Sequence, residues 1–149
     1  GGDQEQKKRA GTENLAAIVG MVAALKEDLE HQAEHYQKLE GLKTAFLEEI
    51  EGLDYYLNEG QNQLPYVFNI GFPGQKNDLL LLRLDLEGIS ISTGSACTAG
   101  IVQTSHVLEA FYGADSHRLK ESVRISLSPL NTEEELKQLA QTLKNIIGD

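Results

Sequence analysis

The chemistry open to this sequence centres on one thiol. Cys97 is the single cysteine of the chain. It stands in Gly94-Ser95-Ala96-Cys97-Thr98-Ala99-Gly100, where no neighbour is bulky enough to wall off the sulfur. A segment of this kind can let a thiol reach outward. A nucleophilic thiol must be accessible and partly ionised, and the loop context speaks only to the first condition. A lone cysteine can equally be a small buried hydrophobe, so the residues alone leave both readings open. One cysteine excludes a disulfide within the chain and a multi-cysteine metal site. His106 is the only nitrogen ligand nearby in sequence, so no metal is expected here.

Two further positions bear on anions. Arg124 is flanked by Val123 and Ile125, and strand alternation sends it to the face opposite both. Its rigid fork suits a carboxylate or a phosphate. A solvated arginine on an exposed strand face is the alternative. Gly11 and Thr12 precede a long helical stretch, whose first backbone amides can receive an anion. Thr12 adds a hydroxyl and Arg9 is close, although simple capping by Thr12 also explains it. The GxxxxGK[ST] phosphate-loop pattern is absent. His31 and His35 are four apart and can share a helix face. No HExxH arrangement accompanies them or His117, so surface histidines are the reading.

These residues need elements to position them. Gly1 to Gly11 reads as a loop and Thr12 as a candidate helix cap. Leu15, Ile18, Val19, Val22, Leu25, Leu29, Tyr36, Leu39, Leu42, Phe46 and Ile50 repeat at steps of mostly three or four, predicting one long helix to about Gly52. Leu53 to Leu57 and Leu64 to Phe72 are strand candidates, with Pro65 at the edge of the second. The Gly71 to Gly74 stretch reads as a turn or an edge feature. Asn77 or Asp78 can cap a leucine-rich helix that stops at Gly88. Ile89 to Thr93 reads as a strand leading into the cysteine segment. Ser105 can cap a helix that stops at Gly113. Ser122 to Ser128 alternates as a two-faced strand, and Thr132 with Glu135 forms a capping box before the last helix.

Length and composition bound the class. The chain has 149 residues, 40% hydrophobic and 24% charged, which predicts one ordinary folded domain with a real core. No apolar run approaches a membrane span, and the polar start is no signal peptide. The net charge of -10, with Lys7, Lys8 and Arg9 as the only basic cluster, makes nucleic acid an unexpected direct partner. The carboxylates between Glu27 and Glu59 read as a solvated helix face. A reducing, cytoplasmic location is expected.

Four ordered segments carry a resemblance. Arg9-Ala10-Gly11-Thr12-Glu13-Asn14 resembles the RxGTxN-like segment of pyridoxal-phosphate cysteine desulfurases of the NifS or IscS type. Gly94-Ser95-Ala96-Cys97-Thr98 resembles their cysteine loop, Ser105-His106-Val107-Leu108 follows in place, and Ser122 to Ser128 with the Thr132 cap resembles their closing strand and helix. The resemblance spans nearly the whole chain. It implies that Cys97 takes sulfur from L-cysteine, leaving L-alanine and a persulfide, with Gly94, Ser95, Ala96 and Thr98 supporting the loop. It implies that Arg124 holds the substrate carboxylate and that Thr12 contacts cofactor phosphate across a homodimer. A sulfur-acceptor or iron–sulfur scaffold protein would then receive the sulfur, for cluster assembly or transfer-RNA thiolation.

By the same resemblance the fold is an α/β unit, the small carboxyl-terminal domain of fold-type I pyridoxal-phosphate enzymes. It would have a small, mostly antiparallel sheet, packed helices and a long first helix. Residues 1–149 would be that domain alone. No Ser-His-Lys occurs, since Ser105-His106 is followed by Val107 and Ser116-His117 by Arg118. The lysine-bearing large domain is therefore expected elsewhere, and the chain alone is expected to bind no cofactor and to be silent. A piece of a longer enzyme is the favoured state, ahead of a split subunit or a relic domain. A noncatalytic interaction domain and a sulfur carrier are the alternatives, and the related selenocysteine lyases share the cofactor and fold.

Overall fold

The structure is a computed structural model and describes residues 2–94 and 104–148. Two compact units, Gly1–His35 and Tyr36–Asp149, divide within one long helix. That helix, α1, runs Leu15–Glu49. Its cap is Asn14 and not Thr12, because Ala17 N donates to Asn14 Oδ1 at 3.1 Å. A capping side chain must stand immediately before the first helical residue to reach the third open amide, and Thr12 lies too far back. In the first unit the apolar residues Leu15, Val19, Leu25 and Leu29 are exposed.

The second unit is built on a three-stranded sheet, β1 (Tyr56–Leu57), β2 (Val67–Gly71) and β3 (Ser122–Ser126), in that order. Both pairings are antiparallel, with Tyr56 opposite Gly71 and Asn69 opposite Arg124. The expected strands are shorter than the apolar runs. β2 starts at Val67, with one further bond from Leu127 N to Tyr66 O at 2.7 Å beside Pro65, which has no N–H to donate. The expected strand Ile89 to Thr93 reduces to a single bridge, Ser92 to Arg124. Gly88 and Gly94 adopt left-handed φ of 76° and 60° at its two ends and turn the chain out of the ladder.

Alternation then sorts the sheet faces. Phe68, Ile70, Val123 and Ile125 are buried on one side. They share a core with Leu42 and Phe46 from the end of α1 and with Ile50 just beyond it. Leu80 and Leu84 join from α2 (Asn77–Leu86), and Leu136, Leu139 and Leu143 from α5 (Glu133–Gly148). Fully burying each such side chain contributes about 1.5–3 kcal/mol, which makes this layer the chief stabilising term. The leucine-rich run is helical as its composition predicts. Its cap position is Lys76, without a side-chain cap, so neither Asn77 nor Asp78 caps it in the expected way. Asp78 Oδ1 instead accepts from Leu79 N. Asn77 turns inward and donates to Leu119 O at 3.2 Å and Ser122 O at 3.0 Å.

Two short helices complete the second unit, α3 (His106–Tyr112) and α4 (Arg118–Glu121). Ser105 caps α3, its Oγ accepting from Leu108 N, and Gly113 ends it at φ 85°. The Thr132 and Glu135 capping box of α5 is formed in both directions, Thr132 N to Glu135 Oε2 at 2.9 Å and Glu135 N to Thr132 Oγ1 at 3.3 Å. α4 has only Leu119 as its buried apolar residue, too little for periodicity to reveal.

Candidate active site

The face of the sheet away from the core carries the polar residues. Arg124 lies there half-buried between the buried Val123 and Ile125, as alternation requires. Its backbone exchanges both hydrogen bonds with Ser92, Arg124 N to Ser92 O at 2.6 Å and Ser92 N to Arg124 O at 3.1 Å. Its Nη1 donates to Gly94 O at 3.3 Å. The guanidinium is thereby tied to the residue from which the cysteine segment departs. Cys97, Ser95, Ala96 and Thr98 lie outside the described residues. Thr12 is exposed in the first unit, between Gly11 (φ 120°) and the start of α1.

A cleft of about 350 Å³ opens over this face, lined among others by Asn58, Asn69, Gly94, His106 and Arg124. Its size suits a small organic ion. Asn58 and Asn69 were not singled out by sequence. Asn69 could have been, because Phe68 and Ile70 flank it as Val123 and Ile125 flank Arg124. Asn58 sits in a turn-rich stretch whose composition marks only a turn.

The floor of the site is an interlocked polar cluster. Asn58 Nδ2 donates to Asn69 Oδ1 at 2.7 Å and to Ser122 Oγ at 2.8 Å. Arg118 Nη1 donates to Asn58 Oδ1 at 2.7 Å. The Arg118 guanidinium stacks between two rings, 4.2 Å from the Tyr56 centroid and 4.5 Å from the Tyr112 centroid. Tyr56 lies flat because its partner across the strands is Gly71, where a Cβ would run into the ring. Burial holds the Tyr56 hydroxyl above its ordinary range, Ser122 and Arg118 oppose this, and Glu121 reinforces it.

The class-V aminotransferase family pattern matches residues 2–139. The chain belongs to that family. An IscS-named relative of Bacillus subtilis is 41% identical over 150 residues, covering 99% of this chain and 40% of its own length. The cysteine desulfurase IscS of Dictyoglomus turgidum is 38% identical over 150 residues, covering 99% and 38%. The cysteine desulfurase NifS of Azotobacter vinelandii is 35% identical over 154 residues, covering 99% and 38%. This chain thus spans about two fifths of the length of these relatives. Among solved structures, a NifS-like protein superposes with a TM-score of 0.82 at 29% identity over 99% of this chain and 37% of its own. A NifS-like protein from Rickettsia africae gives 0.82 at 28% over 100% and 39%.

Cysteine desulfurases of this family use pyridoxal phosphate in general. The residues lining the cleft include no lysine to hold its aldehyde carbon and no carboxylate to face its ring nitrogen. The described residues therefore do not make a complete pyridoxal-phosphate site. Arg124 is the one guanidinium or ammonium group among the described residues that line the cleft. The chain has the expected α/β fold with a small antiparallel sheet. None of its described helices is long and apolar enough to cross a membrane.

Proposed function

We propose that this chain is the carboxyl-terminal small domain of a cysteine desulfurase, completed by a lysine-bearing domain outside this sequence. The observation that carries the reading is the hydrogen bond from Arg124 to Gly94 O. It joins a guanidinium facing the cleft to the segment that continues to Cys97, three residues on. A substrate carboxylate held by Arg124 would sit next to Gly94, where that segment begins.

The net reaction is L-cysteine and the Cys97 thiol going to L-alanine and a Cys97 persulfide. The sulfur–carbon bond of the substrate breaks, a sulfur–sulfur bond forms, and the alanine carbon takes a proton. Pyridoxal phosphate supplies the electron sink for this chemistry when bound in the complete enzyme. This chain supplies the carboxylate anchor and the sulfur acceptor. Thr12 is the residue assigned to cofactor phosphate across a homodimer, and its exposed place beside Gly11 supports that role. The persulfide would pass to an acceptor or iron–sulfur scaffold protein in the cytoplasm.

The first experiment is the intact mass and amino-terminal sequence of the native gene product. A product about two and a half times this length, with a preceding domain bearing a Schiff-base lysine, supports the reading. That product should release alanine from L-cysteine and carry persulfide, and Cys97→Ser should abolish the persulfide. Arg124→Gln should raise KM for L-cysteine roughly a hundredfold, the scale of a lost charge-assisted contact. A native product of this length with no lysine-bearing partner would sink the proposal.

A further inference from the structure

The polar cluster beneath the cleft has a fixed direction. Arg118 can only donate, and it donates a hydrogen bond to Asn58 Oδ1. The Asn58 amide must then present its nitrogen to its other neighbours, and it donates to both Ser122 Oγ and Asn69 Oδ1. The same constraint passes to Asn69, whose oxygen is engaged and whose nitrogen is the remaining end. Among the described residues Asn69 Nδ2 makes no hydrogen bond of its own.

The strand register brings that nitrogen beside Arg124. The two residues are opposite each other in the β2–β3 pair. Arg124 spends its backbone hydrogen bonds on Ser92, on the other side of β3. Asn69 O accepts from Asn58 N, on the β1 side. Asn69 and Arg124 therefore form a non-hydrogen-bonded pair, the kind in which opposing side chains lie closest. Both line the same cleft. An amide N–H beside a guanidinium makes a three-donor edge suited to a carboxylate.

We infer that Asn69 is a second donor to the substrate carboxylate, next to Arg124, and that Arg118 is a positioning residue orienting it through Asn58. The two aromatic rings serve this role by holding the guanidinium at one place. Stacking between Tyr56 and Tyr112 removes the freedom a surface arginine would have. The inference rests on the reading of Arg124 as the carboxylate anchor.

The test uses the complete native protein and the variants Asn69→Ala, Arg118→Met, Arg118→Lys and Arg124→Gln. Steady-state kinetics with L-cysteine give KM and kcat. Calorimetry gives the affinities of L-alanine and of L-alaninamide, which lacks the carboxylate. Asn69→Ala removes the donor without adding a charge beside Arg124, and the comparison with L-alaninamide separates a lost carboxylate contact from a general loosening of the cluster. It should weaken L-alanine and raise KM about tenfold or more, with kcat nearly unchanged and L-alaninamide unaffected. Arg118→Met should lower the preference for alanine over its amide about threefold to tenfold, and Arg118→Lys should recover part of it. Should Arg118→Met lower only Tm and leave that preference intact, Arg118 is structural and the positioning role is wrong. Loss of alanine binding in Arg124→Gln without any effect in Asn69→Ala overturns the inference and leaves the anchor reading standing. Unchanged alanine binding in Arg124→Gln overturns the anchor reading itself, and this inference with it.

Discussion

Replacing Gly71 by alanine should break the site from below, and the size of the effect follows from the packing. Gly71 is buried in β2 opposite Tyr56, and an added Cβ would run into the Tyr56 ring. The ring cannot rise freely, because the Arg118 guanidinium stacks 4.2 Å from its centroid. Overpacking of this kind costs about 1–3 kcal/mol. Displacing Tyr56 should also forfeit a stacking contribution of about 0.5–2 kcal/mol. Against this, Gly→Ala stiffens the unfolded chain and contributes about 0.4–1 kcal/mol to stability. The net expectation is a loss of about 2 kcal/mol. A double-mutant cycle with Tyr56→Ala, followed by urea denaturation, isolates the contact. Without the ring, Gly71→Ala should become neutral or slightly stabilising, giving a coupling of about 2 kcal/mol. Additivity within about 0.5 kcal/mol, the usual scatter for independent sites, would refute the reasoning.

Other outcomes are fixed by single residues. Asn77 donates to two carbonyls, Leu119 O and Ser122 O, so Asn77→Ala should cost about 2–4 kcal/mol in denaturant titrations. Asn77→Asp should be worse at neutral pH and partly recover in acid, where the carboxyl can donate once. Thr132→Ala removes half of the α5 capping box and should cost about 1 kcal/mol. Glu135 is held below its ordinary value by hydrogen bonds from Asn131 and then Thr132. Its contribution is therefore present above the ordinary glutamate range and is lost as pH falls through the lower folded value. Thermal melts of Glu135→Gln should show that acid-side loss flattened. Tyr56 titrates above its ordinary value, chiefly through burial, so the fold gains from its protonated form and loses that gain as pH rises through the folded value. Near-ultraviolet titration of Arg118→Met should move Tyr56 further up, because Arg118 favours the ionised form; a downward move would contradict the stacked geometry.

Local sequence determined the elements whose signals are short in range. The Thr132 and Glu135 box, the Ser105 cap, the Gly113 stop and the period of α1 are each decided within one helical turn, and each is formed. Strand alternation likewise put Arg124 on the face opposite Val123 and Ile125. The GSACT segment and the ordered motifs made the family legible, because they are linear patterns. What the sequence by itself left open is everything that depends on partners distant in the chain. The cap of α1 is the exception, a local feature that lies at Asn14 and not at the expected Thr12. Ile89 to Thr93 kept only one bridge. Asn77 turned from helix cap to interior donor because two carbonyls more than forty residues away needed a hydrogen-bond donor. Arg118 gave no local sign at all. Its role exists only because antiparallel pairing lays Tyr56 over Gly71, and because α3 and α4 bring Tyr112 and Arg118 to that ring from more than fifty residues along the chain.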